Sequence, residues 1–95
     1  MKAELLLRER HVLSETGFVE FVVWRLPRRL PGSAHRFKYR LALIANGVCV
    51  LRFDNEAGKG DHKHRKNREE PYEFVSPERL IADFWADVDE WSKNR

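Results

Sequence analysis

The chain has one cysteine, Cys49, in 95 residues. A single thiol excludes an internal disulfide and a cysteine-rich zinc site. No apolar run approaches the roughly 18 residues that a membrane helix needs. The opening "MKAELLLRERHV" is broken by Glu4, Arg8, Glu9 and Arg10, so it lacks the apolar centre of a signal peptide. The cytoplasm is therefore the expected location, and no membrane contact is expected. Acidic residues are missing from Phe21 through Phe53, a span holding Arg25, Arg28, Arg29, Arg36, Lys38, Arg40 and Arg52. A second basic cluster follows at Lys59, Lys63, Arg65, Lys66 and Arg68, and the end of the chain reverses sign at Glu78, Asp83, Asp87, Asp89 and Glu90. The net charge is only +3, but this polarity points to one side facing a polyanion.

What is present is enough for one small core. Hydrophobic residues make up 42% of the chain and charged ones 35%, with three Trp and six Phe, which excludes wholesale disorder. One domain over residues 1–95 is the natural reading. "AELLLRERHVL" (Ala3–Leu13) and "FVEFVVWRL" (Phe18–Leu26) read as paired strands around a turn at "SETG". "PRRLPGSAH" (Pro27–His35) carries two prolines and is a basic connecting loop. "RFKYRLALI" (Arg36–Ile44) alternates with a period of two. Asn46-Gly47 is the favoured pair for a tight hairpin turn into "VCVLRFD" (Val48–Asp54). Cys49, mid-strand, is expected to be a small buried hydrophobe.

The stretch from Asp54 to Tyr72, "DNEAGKGDHKHRKNREEPY", is almost wholly polar, and Gly58 and Gly60 are expected to interrupt regular structure there. "PYEFVS" reads as a short edge strand. Ser76 then caps a helix to Lys93, with Pro77 at its first position and Glu78 beside the positive end of its dipole. Leu80, Ile81, Phe84, Trp85, Val88 and Trp91 form one apolar stripe, which marks the aromatics as core and not as a stacking platform. The expected fold is α+β: an antiparallel meander of four to five strands with the C-terminal amphipathic helix packed on one face.

The polar stretch carries the side chains of phosphodiester cleavage. His62 and His64 lie two apart, so on an extended chain both imidazoles point the same way. Such a pair can act as acid and base around one phosphate, or grip a metal, since imidazole titrates near neutrality. Asp61 would then face the other way, leaving Asp54 as the residue to orient an imidazole. Lys59, between Gly58 and Gly60, can stabilise phosphate charge, although this tripeptide is not a P-loop. Arg40, Arg52, Lys63 and Arg65 are candidate phosphate contacts. Asn55 and Tyr72 are candidate substrate-binding residues. Tyr39 is expected in the core.

Taken together, "FKYRLALI…LRFDNEAGKGDHKH…EEPYEFVSPERLIADFWADV" resembles the TumE family of bacterial toxin proteins. "ELLLRER" and "VVWRLP…PGSAHRFKYRL" extend the likeness over nearly the whole chain. Its most specific elements are Asp54-Asn55, the run Lys59-Gly60-Asp61-His62-Lys63-His64, and Pro71-Tyr72 with Phe74. The resemblance implies the toxin of a toxin–antitoxin pair and an antitoxin partner, often with a helix-turn-helix domain. It also implies RNA cleavage, and the two clustered imidazoles with a flanking Lys, and no acidic cluster beside them to hold magnesium, favour a metal-independent endoribonuclease. It marks Asp54, Asn55, Lys59, Asp61, His62 and His64 as site positions, with no cofactor and no metal ligand assigned. A homo-oligomer within the toxin–antitoxin complex is a further expectation. Two other readings stay open at this point: a non-catalytic nucleic-acid- or protein-binding module, and a metal-dependent phosphodiesterase using Asp54, His62 and His64.

Overall fold

Each strand pairs with the next one along the chain. A computed structural model describes residues 2–56 and 58–93. The elements are β1 (Glu4–Val12), β2 (Gly17–Arg25), β3 (Phe37–Ala45), β4 (Val48–Glu56), β5 (Gly60–Arg65), β6 (Arg68–Pro71) and α1 (Pro77–Lys93). The strands form one six-stranded antiparallel meander in the order β1-β2-β3-β4-β5-β6. This is the expected α+β architecture, with six strands in place of four to five.

Alternation sorts side chains onto two faces. Val19, Phe21 and Val23 of β2, Tyr39, Leu41 and Leu43 of β3, and Leu51 and Phe53 of β4 point to one side and are buried. The helix lays Leu80, Phe84 and Val88, spaced by four, onto that side. Phe84 meets Phe21 and Phe53 edge-on, with ring centroids 5.5 and 5.2 Å apart. Trp85 and Trp91 pack against this cluster, as the stripe predicted. The helix starts as expected: the Arg79 N–H donates to Ser76 Oγ at 3.1 Å, a cap whose removal costs about 1 kcal/mol. Asn46 and Gly47 both have positive φ, 53° and 76°, as a type I′ hairpin turn requires. No helix among the described residues is long and apolar enough to cross a membrane.

The polar stretch differs from expectation. Strand β4 runs on to Glu56, and the segment expected to be a loop forms β5 and β6. The edge strand is Arg68–Pro71, and Tyr72–Ser76 has no regular structure. The alternation signal is missing because β5 is polar on both faces: Gly60, His62 and His64 on one side, Asp61, Lys63 and Arg65 on the other. One face is open, and the other meets the acidic side of the helix. Gly58 and Gly60 serve the turn, with φ of 85° and 77°. There the Pro27–His35 loop comes close: the Gly58 N–H donates to Pro31 O at 2.6 Å. A Cβ at Gly60 would lie 3.2 Å from the Gly32 carbonyl. Cys49 is exposed, not buried. An irregularity between Leu43 and Ile44 sets Cys49 opposite Ile44. The thiol thus lies near the hairpin turn, away from the helix-covered face.

Candidate functional site

The register places the two histidines on the open face. His62 stands opposite Asp54, and His64 opposite Arg52 on β4 and Glu69 on β6. Because the core residue Phe53 points the other way, its neighbours Arg52 and Asp54 share the histidine side. Five polar side chains from three strands therefore meet: Arg52, Asp54, His62, His64 and Glu69. Arg52 Nε lies 3.1 Å from Asp54 Oδ2. His64 Nε2 is 3.7 Å from Asp54 Oδ1 and 3.9 Å from Glu69 Oε1. His62 Nδ1 is 3.6 Å from Glu69 Oε1. The imidazole centroids are 6.0 Å apart with the rings at 71°. A shallow hollow lined by Cys49, Arg52, His64 and Lys66 borders the cluster.

This cluster is incompletely satisfied. Arg52 Nε, Asp54 Oδ1 and His62 Nε2 are buried atoms with no hydrogen-bond partner among the described residues. Burying an unpaired polar atom costs about 1–3 kcal/mol, and such atoms are rare in folded proteins. Arg52 Nε and Asp54 Oδ1 still stand in ion pairs, 3.1 Å from Asp54 Oδ2 and 3.7 Å from His64 Nε2, so His62 Nε2 is the one of the three with neither kind of partner among the described residues.

The other face tells a different story. Asn55 is buried and pins β4 to β3: its Oδ1 accepts from the Tyr39 N–H at 3.0 Å and its Nδ2 donates to Phe37 O at 2.7 Å. Asp61 Oδ2 accepts from the Tyr39 hydroxyl at 2.7 Å and lies 2.8 Å from His35 Nε2. Burial first, and then the Asp61 hydrogen bond, push the Tyr39 phenol far above its usual range. His35 is a residue that the sequence reading missed. Its Nδ1 accepts from the Phe37 N–H at 3.1 Å, which leaves Nε2 as the nitrogen that donates to Asp61. Its ring stacks on Phe74 at 3.9 Å between centroids. Both ring nitrogens are thus occupied, and His35 fixes the loop to the sheet. A basic loop residue of this kind carries no local sequence signal of its partner.

Lys63, Arg65 and Tyr72 also lie on the helix side. Lys63 Nζ is 3.3 Å from Asp87 Oδ2, and Arg65 is 3.0 Å from the same oxygen. The Asp87 hydrogen bond holds the Arg65 guanidinium pKa above its ordinary value. The Tyr72 hydroxyl donates to Asp83 Oδ2 at 2.7 Å; burial, then that bond, raise its pKa. The structure therefore separates these three, with Asn55 and Asp61, from the two histidines. Lys59 is exposed at the tip of the β4–β5 hairpin, 3.9 Å from Glu56. Arg40 is exposed on the open face, opposite Asp54.

The helix-side pairs predict a pH response. Burial would raise the Asp83 pKa, but hydrogen bonds from Tyr72 and Arg79 outweigh it and hold the carboxyl below its ordinary 3.8. A carboxylate with a depressed folded pKa stabilises fully above the unfolded value and loses that contribution as pH falls through the folded value. The urea midpoint difference between wild type and Asp83→Asn should therefore shrink from about pH 5 downward. A difference that stays constant over that range would show that Asp83 contributes nothing as a charge.

Among the described residues, no three His, Cys, Asp or Glu side chains are grouped to hold a metal ion. A family model described as Toxin TumE matches residues 2–92. No curated protein and no solved structure matches the chain.

Proposed function

The chain belongs to the TumE toxin family, the toxins of toxin–antitoxin systems, and from that premise we propose that it cleaves RNA without a metal through His62 and His64. The observation that carries this is the pair of imidazoles on the face that the helix leaves uncovered, with centroids 6.0 Å apart and Asp54 Oδ1 3.7 Å from His64 Nε2. A general base needs a free ring nitrogen within reach of the proton it takes. His62 Nε2 has no hydrogen-bond partner among the described residues, whereas both nitrogens of His35 are committed. One imidazole takes the proton of the ribose 2′-hydroxyl as that oxygen attacks phosphorus. The other protonates the leaving 5′-oxygen. Asp54, nearest His64 and Arg52, orients that imidazole and the guanidinium. Arg52 and Lys59 stabilise the charge that builds on the phosphoryl oxygens. Asn55 contributes indirectly, by holding β4 against β3 beneath Asp54.

The first test is induction in a bacterial host of wild type and of His62→Ala/His64→Ala, following growth and RNA integrity. Wild type should stop growth and degrade RNA, and the double variant should do neither. Equal toxicity of the two would return the open face to a binding role.

Family membership implies an antitoxin partner. In this reading that partner, with its DNA-binding helix-turn-helix domain, lies over the open face, in the cytoplasm where RNA and antitoxin meet. Covering the histidines and the basic residues of that face blocks RNA by charge and by volume together. Co-purification from the native operon should yield a complex in which amide exchange slows at Lys59–Arg68. Protection confined to Pro77–Lys93 would put the antitoxin on the helix instead.

A further inference from the structure

The cations of this protein divide by face. On the helix side, Lys63 and Arg65 are matched to Asp87, Glu70 and Glu90. On the open face, Arg8, Lys38 and Arg40 have no ion-pair partner among the described residues. Arg10 lies over the Phe18 ring at 4.0 Å and stands opposite Glu20 in the register. Free cations on a surface stay hydrated and are available to a polyanion.

The register shows where they lead. Arg8, Val22, Arg40, Asp54 and His62 are consecutive partners from β1 to β5, so they form one row across the sheet. Trp24 and Lys38 are partners one step along the same face. Val23 is buried beneath the helix, so alternation turns Trp24 to the open side. Three interstrand spacings, roughly 14–15 Å, separate the β2 and β5 positions. Both tyrosines face the helix side, so the open face offers Trp24 where a base could stack.

We propose that the open face is a track for single-stranded RNA, on which Trp24 stacks a base while Lys38 and Arg40 hold phosphates leading to His62 and His64. The proposal rests on the ribonuclease reading above and names its substrate class. A shallow sheet face with an aromatic ring and spaced cations fits a strand whose bases are splayed out. A duplex hides its base faces from such a ring. An acidic protein segment would match the cations but would leave the indole without a role.

The test measures binding of a labelled mixed-sequence single-stranded RNA oligonucleotide in the His62→Ala/His64→Ala background, where no cleavage intervenes. Trp24→Ala should weaken binding about tenfold, and Trp24→Phe should restore most of it. Lys38→Ala/Arg40→Ala should reduce the salt dependence of log affinity by about 1.4, roughly 0.7 for each phosphate no longer neutralised. Lys93→Ala, at the end of the helix, should change neither quantity. Circular dichroism checks the fold of each variant. The track is overturned if both sets of substitutions leave binding unchanged, or if a duplex of the same sequence binds as tightly as the single strand. It is also overturned if they abolish antitoxin binding while RNA binding persists. Cleavage by wild type, assayed separately, distinguishes the two ideas. Lost cleavage in the histidine variants with no effect of Trp24, Lys38 or Arg40 on binding overturns the track alone. Weakened binding in those variants with no cleavage by wild type overturns the catalytic reading alone.

Discussion

His62→Ala and His64→Ala should each lower the rate of RNA cleavage by about 10²–10⁴-fold. The expectation follows from the position of the rings. Both side chains lie on the open face, 13% and 28% exposed, where truncation removes no part of the helix-covered core. A loss of rate with an unchanged unfolding transition therefore reports on chemistry. If one imidazole serves as base and the other as acid, the pH–rate profile is bell-shaped. Arg52→Ala and Lys59→Ala should also slow the reaction by removing charge from the developing phosphorane. Activity should persist in a chelator. Loss in chelator that a divalent ion restores would select the metal-dependent mechanism with Asp54, His62 and His64 as ligands. Full activity in both histidine variants would leave the binding module as the better reading.

The largest effect on stability is expected at Phe84. Phe84→Ala should cost about 3–5 kcal/mol. The ring is 0% exposed and is held edge-on between Phe21 and Phe53. Its removal leaves a cavity between rigid sheet residues that cannot collapse into it. A domain of this size has about 5–15 kcal/mol to lose. The melting temperature should fall by about 12–40 °C, at about 4–8 °C for each kcal/mol. Val75, 65% exposed just before the helix, supplies the control, because Val75→Ala should change stability by less than about 0.5 kcal/mol. A small effect of Phe84→Ala would mean that the helix is not held to the sheet by this stripe.

These two expectations differ in how far the sequence alone could carry them. Phe84 was legible as core because helical spacing and a helix cap are local signals, and burial follows from the stripe. The β3–β4 hairpin was legible for the same reason, since Asn46-Gly47 favours positive φ at both turn positions. The shared orientation of His62 and His64 needed only the period of an extended chain. So did the opposite orientation of Asp61.

Other features depended on residues distant in the chain. Strands β5 and β6 looked like a loop because Lys63 and Arg65 meet Asp87 on a helix more than twenty residues later. A strand satisfied by charge on one face and open on the other carries no apolar alternation to read. Cys49 turned outward through a local irregularity of the β3–β4 pairing that composition does not reveal.

By itself, the sequence determined the α+β class, the helix and its buried stripe, the basic middle of the chain and the pairing of the two imidazoles. Those properties rest on spacing within a few residues. The tertiary structure alone decided which cations are free and which are spent on the helix. It also decided that Asn55, Lys63, Arg65 and Tyr72 lie across the sheet from the histidines, and that Arg52 and Asp54 lie beside them. The reason is the register. Which face a strand residue occupies, and what stands opposite it, is set by pairing with a neighbouring strand, and a shift of one residue would exchange the two faces.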